Sequence, residues 1–226
     1  AATIRKVSYA ASKDETRPIL TGVSIVGANN KITFSAADGF RLATVTLDVP
    51  IERDFTILPS AVLLAEALAV LPKAAIVEVG LADMRLVVTS GDSLIMVNTI
   101  PGNAPDFARL IPVSPPVMAT VDSAALLRAI DRIRVIDADG NQSRYTIESG
   151  QMVIYATSQK GDATFSVACE GVEGWSIWLN DEYLRQALRG VEGSEIQIKN
   201  VGSMEVVVIQ DVNSTHLVAP MNPTER

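Results

Sequence analysis

Histidine and cysteine occur once each in this sequence of 226 residues, as His216 and Cys169, and that scarcity removes whole classes of chemistry. Clustered histidine ligands for a metal are excluded by the count alone. A Ser-His-Asp or Cys-His arrangement would have to pass through His216, which lies in the strand-like STHLVAP, where a structural or exposed role is expected. Cys169 cannot close an intramolecular disulfide, which fits a reducing compartment, and inside TFSVACEGV it reads as a small buried hydrophobe. Aromatic residues make up only 5%, which suits small domains of aliphatic strands and short amphipathic helices better than a cofactor cavity. No apolar run approaches the roughly 18 residues of a membrane helix. The opening AATIRKVSYAAS lacks the basic, apolar, small-residue order of a signal peptide, so a cytosolic location is expected. Neither G-x-x-x-x-G-K nor G-x-G-x-x-G occurs, and nothing in the spacing of the 26 Asp and Glu residues sets two together for acid and base work. The expectation is a protein without catalysis, cofactor or metal.

What is present is apolar bulk: 48% apolar against 20% charged residues, enough for one large core or two of ordinary size. Shifted on itself by 120 residues, the segment from Phe55 falls on the segment from Trp175, pairing Leu64 with Leu184, Ala67 with Ala187, Leu68 with Leu188, Ile76 with Ile196, Met84 with Met204 and Val88 with Val208. This is an internal repeat. Each copy reads as a strand, a helix capped by Ser60 or Asn180, and two strands joined by a polar turn in TSGDS or QDVNS. Upstream of each lies another helix and hairpin: IRKVSYAAS, GVSIVG and KITFSAAD, then LLRAIDRIRVI, RYTIES and MVIYATS. An apolar strand, VMATVD, precedes the helix of the second half only. The halves meet in LIPVSPPV, where Pro112, Pro115 and Pro116 favour extended backbone, giving domains of 1–114 and 115–226 with the first lacking its opening strand.

Two charge patterns carry functional readings. Asp137, Asp139, Asn141, Ser143 and Glu148 fall on calcium-loop positions, but Gln142 stands where the turn glycine belongs, Arg144 where an aliphatic residue belongs, and RYTIES reads as a strand. An ordinary acidic turn is expected. The formal net charge of −7 argues against a chain that wraps nucleic acid with its whole surface, but leaves room for a local basic face. Arg128 and Arg132 lie opposite Leu126, Ile130 and Ile133 on one helix, and Arg185 and Arg189 face away from Leu184 and Leu188 on another. Arg5 and Lys6 open the first helix. Arginines on the outer faces of repeated helices in an acidic chain are expected to meet phosphates jointly.

Four motifs then identify a family. KDETRPILTGVSI, ADGFRLA, APDFARLIP and HLVAPM, in this order and spacing, resemble the middle and C-terminal domains of the beta subunit of bacterial DNA polymerase III, the replicative sliding clamp. The resemblance implies an α+β DNA-clamp fold, in which each domain packs two inner helices on two antiparallel four-stranded sheets and six domains close a ring. Family members carry three domains and pair head to tail, so this chain is expected to be a fragment and a monomer. The resemblance further implies double-stranded DNA as a sequence-independent partner. It also implies a pocket between middle and last domains that receives short linear motifs of the polymerase, clamp loader and repair proteins. Carried over position by position, that pocket is Leu20, Gly39, Phe40, Arg41, Leu42, Pro105, Arg109, Leu110, Leu217, Val218, Pro220 and Met221. Aliphatic walls would take hydrophobic anchors, and Arg41 and Arg109 would hydrogen-bond backbone or carboxylate groups. The sequence departs from the family pattern at Ala219, at Asn222 and in the tail PTER after it. The alternative reading is a clamp-like interaction module, without a ring, for repair or regulatory partners.

Overall fold

The structure is a computed structural model that describes residues 2–71, 78–135, 142–159 and 161–222. The chain divides into two compact units, Ala1–Leu110 and Ile111–Arg226, with the division at the head of LIPVSPPV. Among the described residues no helix is long and apolar enough to cross a membrane.

The first unit runs α1 (Ala2–Ser8), a 3-10 turn (Pro18–Thr21), β1 (Ser24–Ala28), β2 (Lys31–Ala37), β3 (Arg41–Asp48), β4 (Phe55–Ile57), α2 (Ala61–Ala69), β5 (Glu78–Ala82), β6 (Arg85–Ser90), β7 (Ser93–Asn98) and a second 3-10 turn (Phe107–Leu110). Its strands pair antiparallel in the orders β4-β1-β2-β3 and β5-β6-β7. Tight turns set the registers: Asn29 and Asn30 join β1 to β2, and Asp83 and Met84 join β5 to β6, all four with positive φ as two-residue hairpins of matching twist require. Ser60 caps α2 by accepting a hydrogen bond from the Leu63 amide. The core gathers Val7 of α1, Leu64 of α2, and Ile25, Ala43, Val45, Leu86, Val88 and Val97 from the strands.

The second unit runs β8 (Val117–Asp122), α3 (Ser123–Ile133), β9 (Gln142–Glu148), β10 (Gln151–Ser158), β11 (Gly161–Gly171), β12 (Ser176–Asn180), α4 (Asp181–Gly190), β13 (Glu195–Lys199), β14 (Val207–Gln210) and β15 (Ser214–Val218). Among the described residues its strands follow one another as β12-β9-β10-β11-β8-β13-β14-β15. Two four-stranded halves join at β11, whose first part pairs with β10 and whose last residues, Cys169–Gly171, pair with β8. Gly171 is needed there, because a Cβ would meet the Met118 carbonyl oxygen at 2.5 Å and Ile147 Cδ1 at 2.7 Å. Asp122 and Asn180 cap α3 and α4. Leu126, Ile130 and Ile133 of α3 and Leu184, Ala187 and Leu188 of α4 are buried against the strands. Each large side chain removed from water in this way contributes about 1.5–3 kcal/mol.

The repeat in the sequence is a repeat of strand register. Ala28 opposite Lys31 becomes Glu148 opposite Gln151, Ile25 opposite Ile57 becomes Tyr145 opposite Ile177, Lys31 opposite Asp48 becomes Gln151 opposite Ala168, and Glu78 opposite Thr89 becomes Ile198 opposite Ile209. The last hairpin alone departs: Ser90 faces Ser93 across Gly91 and Asp92, whereas Gln210 faces Thr215 across a longer loop. VMATVD forms β8, and Arg144–Glu148 of RYTIES lies within β9, with Ser149 in the turn that follows. Among the described residues of the first unit no strand stands where β8 stands in the second.

Candidate functional site

Gly39, Phe40, Arg41 and Leu42 come together on the turn from β2 to β3. Asp38 builds that turn: its Oδ1 accepts the amides of Phe40 (2.9 Å) and Arg41 (3.1 Å), and its Oδ2 accepts Arg41 Nε at 2.8 Å. Gly39 has φ +99°, a conformation that side chains rarely adopt. The Arg41 guanidinium also lies over the Tyr9 ring, 5.5 Å from its centroid, and its side chain is only 9% exposed. Burial raises the Tyr9 phenol above its ordinary value; the Arg41 charge opposes this and Asp38 adds to it. Arg41 therefore braces the turn through Asp38 and Tyr9. Phe40, 61% exposed, is what the braced turn presents. Asp38 and Tyr9 went unnoticed in the sequence; the D-G pair at 38–39 was the available signal for Asp38.

Leu20 closes the 3-10 turn beside this hairpin and its carbonyl accepts the Ser12 amide at 2.8 Å. The motif KDETR preceding that turn is organised by Asp14. Its carboxylate is held below its ordinary value by the Thr16 hydroxyl and amide and by Arg17. Pro105, Arg109 and Leu110 are all exposed around the second 3-10 turn, where Arg109 pairs with Asp106 at 3.0 Å while remaining 84% exposed. In the second unit Leu217 and Val218 are buried on β15. Beyond them Pro220 bridges to Leu179, and the Met221 amide donates to the Trp178 carbonyl at 2.8 Å, which pins the half-buried Met221 to β12. Asn222 is exposed, and the tail after it lies outside the described residues.

The arginines on the helices are not equivalent. Arg128 and Arg132 are exposed one turn apart and border a shallow cleft of about 290 Å³ against Phe165 and Ala168 of β11. Arg189 is exposed near the end of α4. Arg185 is 17% exposed: it binds Glu182 at 2.9 Å and reaches Asp131 of α3 at 3.8 Å, while Glu182 also takes Arg134 at 2.9 Å. That network ties α3 to α4 and leaves Arg185 less exposed than Arg189. Arg5 and Lys6 sit within the seven residues of α1, Arg5 exposed and Lys6 half-buried.

Models of the DNA polymerase III beta subunit match the chain twice, the central domain over residues 1–106 and the C-terminal domain over residues 108–224. The chain belongs to the DNA polymerase III beta subunit family. Among beta-subunit relatives, the beta sliding clamp of Staphylococcus aureus is 25% identical over 96% of this chain and 60% of its own length. That of Bacillus subtilis is 26% identical over 97% of this chain and 61% of its own length. The crystal structure of the Bacillus subtilis DNA polymerase sliding clamp superposes with a TM-score of 0.91 at 26% identity, covering 99% of this chain and 62% of that one. The Thermotoga maritima beta subunit gives 0.89 at 25% identity, covering 99% and 63%. The chain thus spans about 60% of the length of the curated relatives it matches.

Within this beta-subunit fold the remaining singular residues are structural. His216 is fully buried, with Nε2 3.2 Å from Ser214 Oγ. Asp181, also fully buried, accepts the hydroxyls of Ser143 (2.7 Å) and Tyr145 (2.6 Å), and burial followed by the Asp181 charge raises the Tyr145 phenol well above its ordinary value. Ser143 of the calcium-loop pattern is thereby a buried partner of Asp181 at the start of α4, and Glu148 ends β9; Asp137, Asp139 and Asn141 lie outside the described residues. Cys169 is half-buried in β11, where burial and then Glu173 raise its thiol above the ordinary value, away from a reactive thiolate.

Proposed function

We propose that this chain is the peptide-binding and DNA-facing part of a sliding clamp: in the complete ring it surrounds double-stranded DNA and tethers polymerase, clamp loader and repair proteins by their short linear motifs. The work is mechanical. Holding an enzyme on its template raises its effective concentration there and leaves the chemistry to the enzyme.

The observation that carries the reading is the braced turn. An exposed aromatic at Phe40 stands on a loop already fixed by Asp38, Arg41 and Tyr9, so an apolar anchor of a peptide meets it without ordering a flexible segment. Leu20, Gly39, Leu42, Pro105, Arg109 and Leu110 in the first unit, with Leu217, Val218, Pro220 and Met221 in the second, complete the proposed peptide-contact set. Arg109, exposed, is the donor of that set that a ligand reaches most readily. Arg128, Arg132 and Arg189, with Arg5 and Lys6, are the proposed phosphate contacts. Such contacts carry no base information and are compatible with sliding.

The test is titration of a fluorescent peptide bearing a polymerase clamp-binding motif into the 226-residue chain and into a Phe40→Ala, Met221→Ala double variant. Saturable binding that the variant loses, with unfolding midpoints unchanged, supports the reading. Absence of saturable binding to the folded parent chain up to millimolar peptide sinks the peptide-site assignment.

A further inference from the structure

We propose that Asp38–Gly39 is a latent isomerisation site, at which the main chain can shift from the α-carbonyl of Asp38 to its side-chain carbonyl, and that the brace made by Arg41 and Tyr9 keeps this site closed. Aspartate followed by glycine is the pair most open to this change, because no Cβ stands between the amide nitrogen of the second residue and the carboxyl carbon of the first. The Gly39 nitrogen would form a bond to Cγ of the protonated Asp38 carboxyl. The carboxyl hydroxyl would leave with the amide proton as water, closing a five-membered succinimide. Water then adds back to one of the two ring carbonyls. Opening at Cγ restores aspartate. Opening at the main-chain carbonyl carbon leaves Gly39 joined through Cγ, with a free α-carboxyl and one methylene more in the chain, and no oxidant or other reactant enters.

The residues that build the turn are the ones that make it labile. Its φ of +99° calls for glycine at 39, and the acceptor that folds the following amides back is an aspartate at 38. Crowding does not protect the nitrogen: where a Cβ of Gly39 would stand, the nearest atom is Arg17 Nη1 at 3.7 Å. The restraint lies on the carboxyl. Oδ1 holds the Phe40 and Arg41 amides at 2.9 and 3.1 Å, Oδ2 holds Arg41 Nε at 2.8 Å, and the Asp38 side chain is 12% exposed. Ring closure needs one of these oxygens to take a proton and depart, so the contacts must be given up first, the charge-assisted one among them. Arg41 cannot follow the carboxyl outward, because its guanidinium is stacked over the Tyr9 ring. Reaction therefore proceeds from opened turns only, at the rate of a free Asp-Gly pair multiplied by the fraction open. Once formed, the longer linkage carries Phe40 and Arg41 away from Oδ1. The loss of peptide binding that follows rests on the peptide-site reading above, whereas the isomerisation itself does not.

The experiment ages the complete chain for weeks at neutral pH and body temperature. Isoaspartate at residue 38 is then counted by mass spectrometry after digestion with an endoprotease that cuts before aspartate but not before isoaspartate. Arg41→Ala removes the brace, and Arg41→Lys keeps the charge without the Nε donor. Leu64→Ala loosens the same core from α2, outside the turn. The chain unfolded in guanidinium gives the unrestrained rate, and the second Asp-Gly pair, Asp139–Gly140, which lies outside the described residues, reports in that sample that the lesion is detected. The folded parent should isomerise at residue 38 roughly tenfold or more slowly than the unfolded chain. Both Arg41 variants, shown to be folded by circular dichroism, should run roughly threefold or more faster than the parent, and folded Leu64→Ala should stay close to it. A parent rate equal to the unfolded rate, or Arg41 variants no faster than the parent, would overturn the proposal. So would equal acceleration in Leu64→Ala, because general stability and not the brace would then be the guard. Peptide binding followed in the same samples separates the two readings: isomerisation without loss of binding sinks the peptide-site reading and leaves the guard standing.

Discussion

Replacing Asp38 with alanine removes three acceptor contacts at once, from the amides of Phe40 and Arg41 and from Arg41 Nε, and leaves a mostly buried guanidinium without its carboxylate. Breaking a shielded pair from one side costs about 3 kcal/mol, so Asp38→Ala should lower the urea midpoint clearly, whereas the exposed Phe40→Ala should stay within about 0.5 kcal/mol of the parent. A second residue contributes to the acid dependence of stability. Burial would raise the Asp211 carboxyl, but the amides of Glu192, Asn213 and Ser214 and the Ser214 hydroxyl outweigh it, and the value lies below the ordinary 3.8. A carboxyl depressed on folding contributes stability above its unfolded value and loses it as pH falls through the folded one. Stability below about pH 4 should therefore fall less steeply in Asp211→Asn than in the parent, measured by urea unfolding across pH 2–6. The residues presented at the turn were legible in ADGFRLA. Tyr9 was not, because its contact with Arg41 joins α1's neighbourhood to a distant hairpin and no local pattern records it.

At the scale of the element, the apolar period of each helix gave its buried face correctly: Leu126, Ile130 and Ile133 on α3 and Leu184 and Leu188 on α4 are all buried. Leu126→Ala should cost about 2–5 kcal/mol, read from denaturant unfolding, since the cavity would lie under a fully enclosed side chain. The polar faces were less legible. A helical wheel gives Arg185 and Arg189 the same rank, but Glu182 holds Arg185 from three residues earlier on α4, and Asp131 of α3, 3.8 Å away, joins only when the two helices pack. This distinction predicts a difference in DNA binding: Arg128→Ala or Arg132→Ala should reduce the slope of log affinity against log salt by about 0.9 each, and Arg185→Ala by much less. A double-mutant cycle on Arg185 and Asp131 should return a nonzero coupling in unfolding free energy.

For the whole molecule, the two units meet the test of separate compactness at a stretch where Val113 is 95% exposed and three prolines interrupt hydrogen bonding. Brief elastase digestion should cut after Val113 before any strand is cleaved, giving two fragments of nearly equal mass by mass spectrometry. The repeat was visible in the sequence through matched leucines and valines, whereas the exposure of Val79 and Leu81 on β5 was not, because periodicity shows which side chains face inward but not whether anything covers them. The agreement of registers also says something about how such a chain tolerates exchange of its parts. A crossover between a residue of β1, β2, β3, β4, β5 or β6 and the residue 120 places later would join strands already in phase, so a chimera spliced there keeps the registers that the two units share without a compensating insertion. Past that point the longer β14–β15 loop puts the copies out of step, and a splice inside the final hairpin would leave its two strands in conflicting alignments.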